Sequence, residues 1–167
     1  PGTAVRYLVE PEMISVNSRL YEAHPDYAMV IPGKPHSEGR NQRILDLTRR
    51  EVQDFVIEEM SRVFSSADIS YVKWDMNRIF SDYYSAALEP ERQGEVAHRY
   101  VLGLYRCLKE LTERFPHILF EGAPAAETAL IWGCSAISRR SGPATTLTRC
   151  AVWICRQITV TDIPCRR

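Results

Sequence analysis

The sequence has no excess of either charge and no long apolar run. Lysine and arginine together number 21, and aspartate and glutamate together also number 21, so the net charge is zero. Nucleic acids and anionic membranes attract proteins through positive charge, so this balance argues against both as partners. No apolar stretch approaches the roughly 20 residues that a membrane-spanning helix needs. We therefore expect a protein that binds neither nucleic acid nor membrane.

The cysteines and histidines form no recognisable metal or disulfide pattern. Cys107 stands alone, and the other four cysteines fall in the last third of the chain. No C-x-x-C pair occurs, and the four histidines are scattered. The spacing therefore indicates neither a disulfide framework nor a zinc site, and we expect no metal.

The segment 44–64 carries two hydrophobic patterns that predict a strand followed by a helix. The run Ile44-Leu45-Asp46-Leu47 is short and apolar, as is typical of a buried strand. Thr48 follows it as a suitable N-cap for a helix over 49–64, where apolar residues recur at helical spacing.

The alternation of strand and helix patterns continues to residue 122. The sequence predicts a strand over 69–74, a long amphipathic helix over 90–114 and a third strand over 118–120. Strands that alternate with helices are typical of a parallel sheet, so we predict an α/β fold. From 123 to 167 no period of 2 or 3.6 residues persists, and we expect no regular element there.

Two carboxylates, Asp75 and Glu121, follow the second and third predicted strands. The carboxyl ends of parallel strands form the edge at which barrel enzymes build their active sites. Each carboxylate is also compatible with capping a helix that follows it. Lys73 lies two residues before Asp75 and therefore points to the same side of the strand, where its charge favours an ionised Asp75.

Several stretches between residues 10 and 122 follow one another in the order of a known family. The most specific of them is Lys73-Trp74-Asp75-Met76-Asn77-Arg78. The others are Glu10-Pro11-Glu12-Met13-Ile14-Ser15, Leu20-Tyr21, Ala23-His24-Pro25-Asp26, Ser37-Glu38-Gly39-Arg40-Asn41-Gln42, Leu45-Asp46-Leu47, His98-Arg99-Tyr100-Val101-Leu102-Gly103-Leu104-Tyr105 and Phe120-Glu121-Gly122. In this order they resemble the α-galactosidases of glycoside hydrolase family 36.

The resemblance implies a fold, an activity and site residues. The fold is a (β/α)8 or TIM barrel, of which this chain would carry about three βα units, with a tail unlike the family. The activity is retaining hydrolysis of terminal α-D-galactosides of the melibiose and raffinose type, without a cofactor. Asp75 matches the family's catalytic nucleophile, and Lys73 and Arg40 match positions that hydrogen-bond the hydroxyls of galactose.

The chemistry of these residue types agrees with the implied roles. A retaining glycosidase needs one ionised carboxylate that attacks and a second carboxyl group that protonates the leaving oxygen. Arg40 offers a rigid fork of donors to paired hydroxyls. Asn77 is a third candidate for substrate binding, although Asn77 and Arg78 are equally suited to closing the loop. Trp74 alternates to the other face of the strand, so we expect it to pack within the barrel.

The tail departs from the family where the second carboxylate is expected. The family continues after Phe-Glu-Gly with Cys-Ser/Ala-Gly-Gly, and later carries Trp-Thr-Ser-Asp-Asp/Asn-Thr-Asp, which holds the acid/base Asp. Here the acids after Glu121 are Glu127 and Asp162, both in unrelated contexts. We therefore expect that the acid/base Asp is not encoded in this reading frame.

A shifted reading frame accounts for the departures at both ends of the chain. With permitted codons, a neighbouring frame over 133–156 yields Trp-Thr-Ser-Asp-Asp-Thr-Asp, and the opposite shift over 4–9 yields Arg-Phe-Gly-Ile-Trp, which precedes the family's Phe-Glu-Pro-Glu. The sequence thus predicts an off-frame segment over 1–9, a partial catalytic barrel over 10–122 and an off-frame tail over 123–167. The nucleotide sequence, with its codons, tests this hypothesis directly.

Three functions are compatible with the sequence. The first is an α-galactosidase that acts on α-galactoside sugars. The second is a related enzyme that transfers galactose, or an α-N-acetylgalactosaminidase, because residues that recognise the other sugar hydroxyls lie outside this segment. The third is a non-catalytic remnant, because three or four strands cannot close a barrel and leave sheet edges exposed. Resemblance to bacterial members also implies a cytoplasmic, homo-oligomeric parent enzyme.

Overall fold

Strands and helices alternate along the chain in a mixed α/β fold. The computed structural model describes residues 5–78, 80–124 and 156–159. Its strands are β1 (Val5–Glu10), β2 (Met13–Ser15), β3 (Gln42–Ile44), β4 (Ile69–Met76), β5 (Leu119–Pro124) and β6 (Arg156–Thr159). Its helices are α1 (Arg19–Ala23), α2 (Arg50–Phe64) and α3 (Val96–Arg114), with 3-10 turns over Pro25–Tyr27 and Pro90–Glu95.

Four strands form a parallel sheet in the order β5-β4-β1-β6. The helix α2 lies between β1 and β4 in the chain, and α3 lies between β4 and β5, so these two parallel pairs are each joined through a helix. The predicted α/β class and parallel sheet are therefore confirmed. Closure of such a sheet into an eight-stranded barrel stays a prediction.

The first strand of the parallel sheet is not the one that the sequence predicted. We expected a strand over 44–47, but β3 ends at Ile44 and pairs antiparallel with β2 in a separate two-stranded ribbon. The apolar run continues as a buried loop, in which Leu45 N donates to Glu12 O at 2.9 Å and Asp46 N donates to Tyr27 O at 2.7 Å. An apolar run indicates that the residues are buried, but hydrophobicity alone does not distinguish a buried strand from a buried loop.

The two long helices are where the hydrophobic periodicity placed them, and their apolar stripes are buried. They contact each other directly on one side of the sheet. Gly103 on α3 sits against the loop before α2, because a Cβ atom added there would lie 1.9 Å from Leu47 O. Only glycine permits this approach. The predicted N-cap is wrong: Thr48 donates its hydroxyl to Asp46 Oδ1 at 2.6 Å, and the N-cap position is held by Arg49.

The helix-facing side of the sheet forms the main core. Val9 and Val72 are fully buried there, and Phe120 meets Phe64 of α2 with ring centroids 5.7 Å apart. The opposite side alternates with it in register and remains open, with Leu119 49% exposed. Among the described residues, no helix is long and apolar enough to cross a membrane.

One strand lies in the tail, where we expected no regular element. Strand β6 pairs in parallel with β1, so that expectation is wrong for these four residues. The outer edge of β1 offers backbone N–H and C=O groups, and an added strand needs only its own backbone to pair with them. Most of the predicted off-frame tail lies outside the described residues. Strand β1 itself crosses the predicted boundary at residue 10, and that boundary stays a prediction.

Candidate active site

Asp75 lies near the carboxyl end of β4, an inner strand of the parallel sheet. It is buried, at 6% exposure, and its Oδ2 atom has two polar neighbours. Lys73 Nζ lies 3.8 Å from Oδ2, and Asn77 Nδ2 donates to Oδ2 at 3.0 Å. The alternation of the strand thus brings Lys73 and Asp75 to one side, as the sequence predicted. Asp75 does not cap a helix, because the next helical turn begins at Pro90.

Asn77 connects Asp75 to a second carboxylate, Glu10, which the sequence analysis did not select. Glu10 ends β1, the strand next to β4, and is 1% exposed. Asn77 Nδ2 donates to Glu10 Oε1 as well as to Asp75 Oδ2. The two strand ends therefore meet at one side-chain amide. Glu10 was missed because the first parallel strand was placed at 44–47, although Glu10 opens the first family-like stretch.

Arg40 approaches this cluster from the loop before β3. Its Nη1 atom lies 3.8 Å from Glu10 Oε1, and its side chain is 59% exposed. Arg40 and Asn41 have φ angles of 57° and 59°, a left-handed conformation that is uncommon in residues other than glycine. The loop therefore turns sharply at Arg40. Sequence reasoning selected this residue but contained no information on how it reaches the sheet.

Trp74 packs on the helix-facing side, as predicted. Its Nε1 atom donates to Glu12 Oε1 at 2.8 Å, and the Tyr100 hydroxyl donates to Glu12 Oε2 at 2.6 Å. Burial raises the pKa of Glu12 above its ordinary value of 4.5, and the two hydrogen bonds oppose this shift. Burial, followed by the nearby Glu12 charge, raises the pKa of Tyr100 well above its ordinary 10.0. This group ties β4 to α3 directly behind Asp75.

Arg78 closes a loop, whereas its neighbour Asn77 faces Asp75. The buried Arg78 guanidinium donates to Ser37 O and, at 3.0 Å, to Ser81 Oγ, so it joins the loop before β3 to the loop after β4. Burial lowers the pKa of Arg78 below its ordinary value of 12.5. The structure thus separates two residues whose roles the sequence left open.

Glu121 does not join the cluster around Asp75. Strand β5 runs on to Pro124, so Glu121 lies within the strand rather than at its end. Its side chain is exposed and accepts a hydrogen bond from the Tyr71 hydroxyl, and in register it lies opposite Lys73. Within residues 5–78, 80–124 and 156–159, no group of three or more His, Cys, Asp or Glu side chains is arranged to hold a metal ion.

The chain is similar to known proteins over most of its length. A family model described as Melibiase matches residues 3–131. The chain is 60% identical over 113 residues to alpha-galactosidase AgaA of Geobacillus stearothermophilus, covering 68% of this chain and 16% of that protein. It is 58% identical over 114 residues to alpha-galactosidase 1 of Pediococcus pentosaceus, again covering 68% of this chain and 16% of the relative.

Solved structures give the same result. The crystal structure of the GH36 alpha-galactosidase AgaA from G. stearothermophilus superimposes with a TM-score of 0.71 at 55% identity, covering 74% of this chain and 17% of that chain. A variant of the same protein, in complex with raffinose, gives the same values. The chain therefore spans about a sixth of the length of these relatives. It belongs to the Melibiase family, whose matched members are named α-galactosidases and are glycoside hydrolases.

Proposed function

We propose that this chain is the nucleophile-bearing part of a retaining α-galactosidase, with Asp75 as the attacking group. The observation that carries the proposal is the environment of Asp75. It is a buried carboxylate at the end of an inner parallel strand, with an ammonium group and an amide donor on the same oxygen. Family membership makes galactosides the substrate class.

The proposed scaffold is a (β/α)8 barrel to which this chain contributes the adjacent strands β1, β4 and β5. Two features support it: the described strands are all parallel in the main sheet, and α2 and α3 share one core with the Val72 and Phe120 side of that sheet. In such a barrel the open side of the sheet becomes the filled interior, and catalytic residues stand at the carboxyl ends of the strands. Asp75 and Glu10 stand at those ends.

The reaction proceeds in two displacements. Asp75 attacks the anomeric carbon, the bond to the leaving oxygen breaks, and that oxygen takes a proton from a second carboxyl group. Water, deprotonated by that second group, then releases galactose from the glycosyl-enzyme with net retention. We place the second group outside this reading frame. The 167-residue chain alone is therefore proposed to be catalytically inert.

The remaining site residues bind the sugar. Lys73 and Arg40 donate to ring hydroxyls, and Asn77 lies between Asp75 and Glu10, where a hydroxyl next to the anomeric centre would pass. Structures of a relative with raffinose and with stachyose support oligosaccharides that end in α-galactose as substrates. A cytoplasmic location and a homo-oligomeric parent enzyme remain predictions from the resemblance.

The proposal is tested in a chimaera in which residues 10–122 replace the matching stretch of the G. stearothermophilus relative. The host supplies the rest of the barrel and the second carboxyl group. We expect the chimaera to hydrolyse raffinose and nitrophenyl α-galactoside, and Asp75→Gly to reduce kcat by about 10⁴-fold or more. Added azide should restore turnover of the nitrophenyl substrate in Asp75→Gly and form β-galactosyl azide, because it attacks from the face that Asp75 occupied.

The matched control is Asp68→Asn. Asp68 is exposed and precedes the same strand at its opposite end, so its substitution should leave kcat unchanged. An Asp75→Gly chimaera that keeps its activity, or an azide product of α configuration, would show that Asp75 is not the nucleophile.

A further inference from the structure

Glu10 occupies a position that the proposed mechanism does not use. It is a carboxylate with 1% exposure at the end of β1, adjacent to the nucleophile's strand. A buried carboxylate is costly unless donors surround it. The Asn77 amide donates to it, and the Arg40 guanidinium forms an ion pair with it at 3.8 Å. Two of the three proposed sugar-binding residues therefore depend on one acidic side chain.

The two carboxylates determine the orientation of the Asn77 amide. An asparagine side chain presents an acceptor oxygen on one side and two N–H donors on the other. Ionised carboxylates only accept, so the amide nitrogen must face both Glu10 Oε1 and Asp75 Oδ2. Each of its two hydrogens then has an acceptor. The amide oxygen is turned away from both acids, and without Glu10 only Asp75 Oδ2 would hold the amide nitrogen in this orientation.

We infer that Glu10 is a positioning residue: it fixes the Asn77 amide so that one N–H holds Asp75 Oδ2 for attack while the amide oxygen faces the sugar. Arg40 Nη1 lies 3.8 Å from the same oxygen, Glu10 Oε1. The inference rests on the proposed function of Asp75, and it assigns to Glu10 no contact with substrate. It predicts that Glu10 acts through Asn77.

The test uses the same chimaera with Glu10→Ala, Glu10→Gln, Asn77→Ala and the double variant Glu10→Ala/Asn77→Ala. Glu10→Ala should reduce kcat/KM by about 100-fold, the loss expected when a reacting group is misplaced. Glu10→Gln keeps an oxygen that accepts from Asn77 and should recover to within about tenfold of the parent, because interactions of this kind depend on geometry. The double variant should be no more than about threefold worse than Asn77→Ala, since the two residues act as one unit.

Leaving groups separate positioning from proton donation. A positioning residue lowers the rates on raffinose and on nitrophenyl α-galactoside by the same factor, because it serves the attack. An acid catalyst would be needed for raffinose and nearly dispensable for the nitrophenyl substrate. The control Glu113→Ala, an exposed residue on α3, should change neither rate.

The outcomes distinguish this inference from the proposed function. Additive losses in the double variant, or a loss confined to raffinose, would overturn the role of Glu10 while leaving Asp75 as nucleophile. Full activity in Asp75→Gly would instead remove the proposed function itself. If Glu10→Ala lowers the melting temperature of the chimaera, the double-mutant cycle is repeated with Glu10→Gln and Asn77→Ala. Glutamine preserves the size of the side chain, so this cycle tests the role of Glu10 without a loss of packing.

Discussion

The two sides of the parallel sheet differ in what holds their side chains in place. On the helix-facing side, Val72 and Phe120 pack against α2 and α3, and the buried acid Glu12 has a donor on each oxygen. The opposite side carries charged side chains such as Lys73 and Asp75, together with Leu119, which is half exposed. Contacts within residues 5–124 specify the first side almost completely. The second side would be covered only by further strands of a barrel.

The difference separates stability from chemistry along a single strand. In β4, Trp74 serves the packed side while its neighbours Lys73 and Asp75 serve the open side.

The largest effect is expected from Gly103→Ala on the packed side. The added Cβ would lie 1.9 Å from Leu47 O, a backbone atom that cannot rotate away. We expect a destabilisation of at least about 3 kcal/mol and little or no folded chimaera. The yield of soluble chimaera and its thermal inactivation temperature measure this. Gly94→Ala is the matched control, since nothing lies within 4 Å of its added Cβ, and a soluble Gly103→Ala of unchanged stability would show that the helix does not approach this closely.

Phe120→Ala and Leu119→Ala compare the two sides at adjacent residues of β5. Phe120 packs on Phe64, so its truncation should cost about 3–5 kcal/mol. Leu119 is 49% exposed here, but the remaining strands of a barrel would bury it, and its truncation in the chimaera should then cost about 2–4 kcal/mol. Thermal inactivation temperatures rank the two variants. A cost below about 0.5 kcal/mol for Leu119→Ala, typical of a surface site, would argue that no barrel covers this side.

The smallest effect concerns Glu12 and appears as a dependence on pH. Burial raises the pKa of Glu12 in the folded protein above its ordinary 4.5, so the folded state binds the proton more tightly than the unfolded state. Its contribution to stability is therefore present in full below about pH 4.5 and is lost as the pH rises through the raised folded value. Glu12→Gln does not titrate and can still pair with Trp74 and Tyr100.

The stability of Glu12→Gln relative to the parent should accordingly increase as the pH is raised from 4 to 7. Thermal inactivation at several pH values measures this difference. A difference that is constant across that range would mean that Glu12 titrates alike in the folded and unfolded chains.

Periodicity predicted the elements in which one repeating pattern covers many residues. Helix α3 buries Tyr100 and Leu104 on the stripe that its sequence displays, and α2 does likewise. The first parallel strand was predicted at 44–47 instead of at β1, because a short apolar run indicates that residues are buried but not with which strand they pair. The pairing of Val5–Glu10 with β4 is a contact between residues far apart in sequence, and no local pattern records it.

The site was predictable where chemistry follows the alternation of a strand. Lys73 and Asp75 share a side because side chains two apart always do in a strand. Strand order brings Glu10 to the same place, and a left-handed turn brings Arg40 there. The spacing of residues in the sequence predicts neither the strand order nor the turn. Family resemblance selected Arg40 but gave no account of its partner. The separation of Asn77 from Arg78 required the positions of Ser37 and Ser81.

Strand β1 pairs within the parallel sheet although most of it lies in the segment that we predict to be translated out of frame. A strand is held by its backbone, and its neighbours require only that every second side chain be apolar. Val9 meets that requirement even if the bases that encode it are translated out of phase. A misread stretch of this kind would still pair with β4 through its backbone, so an error in the reading frame there would be seen in the enzyme's turnover of sugar rather than in the sheet.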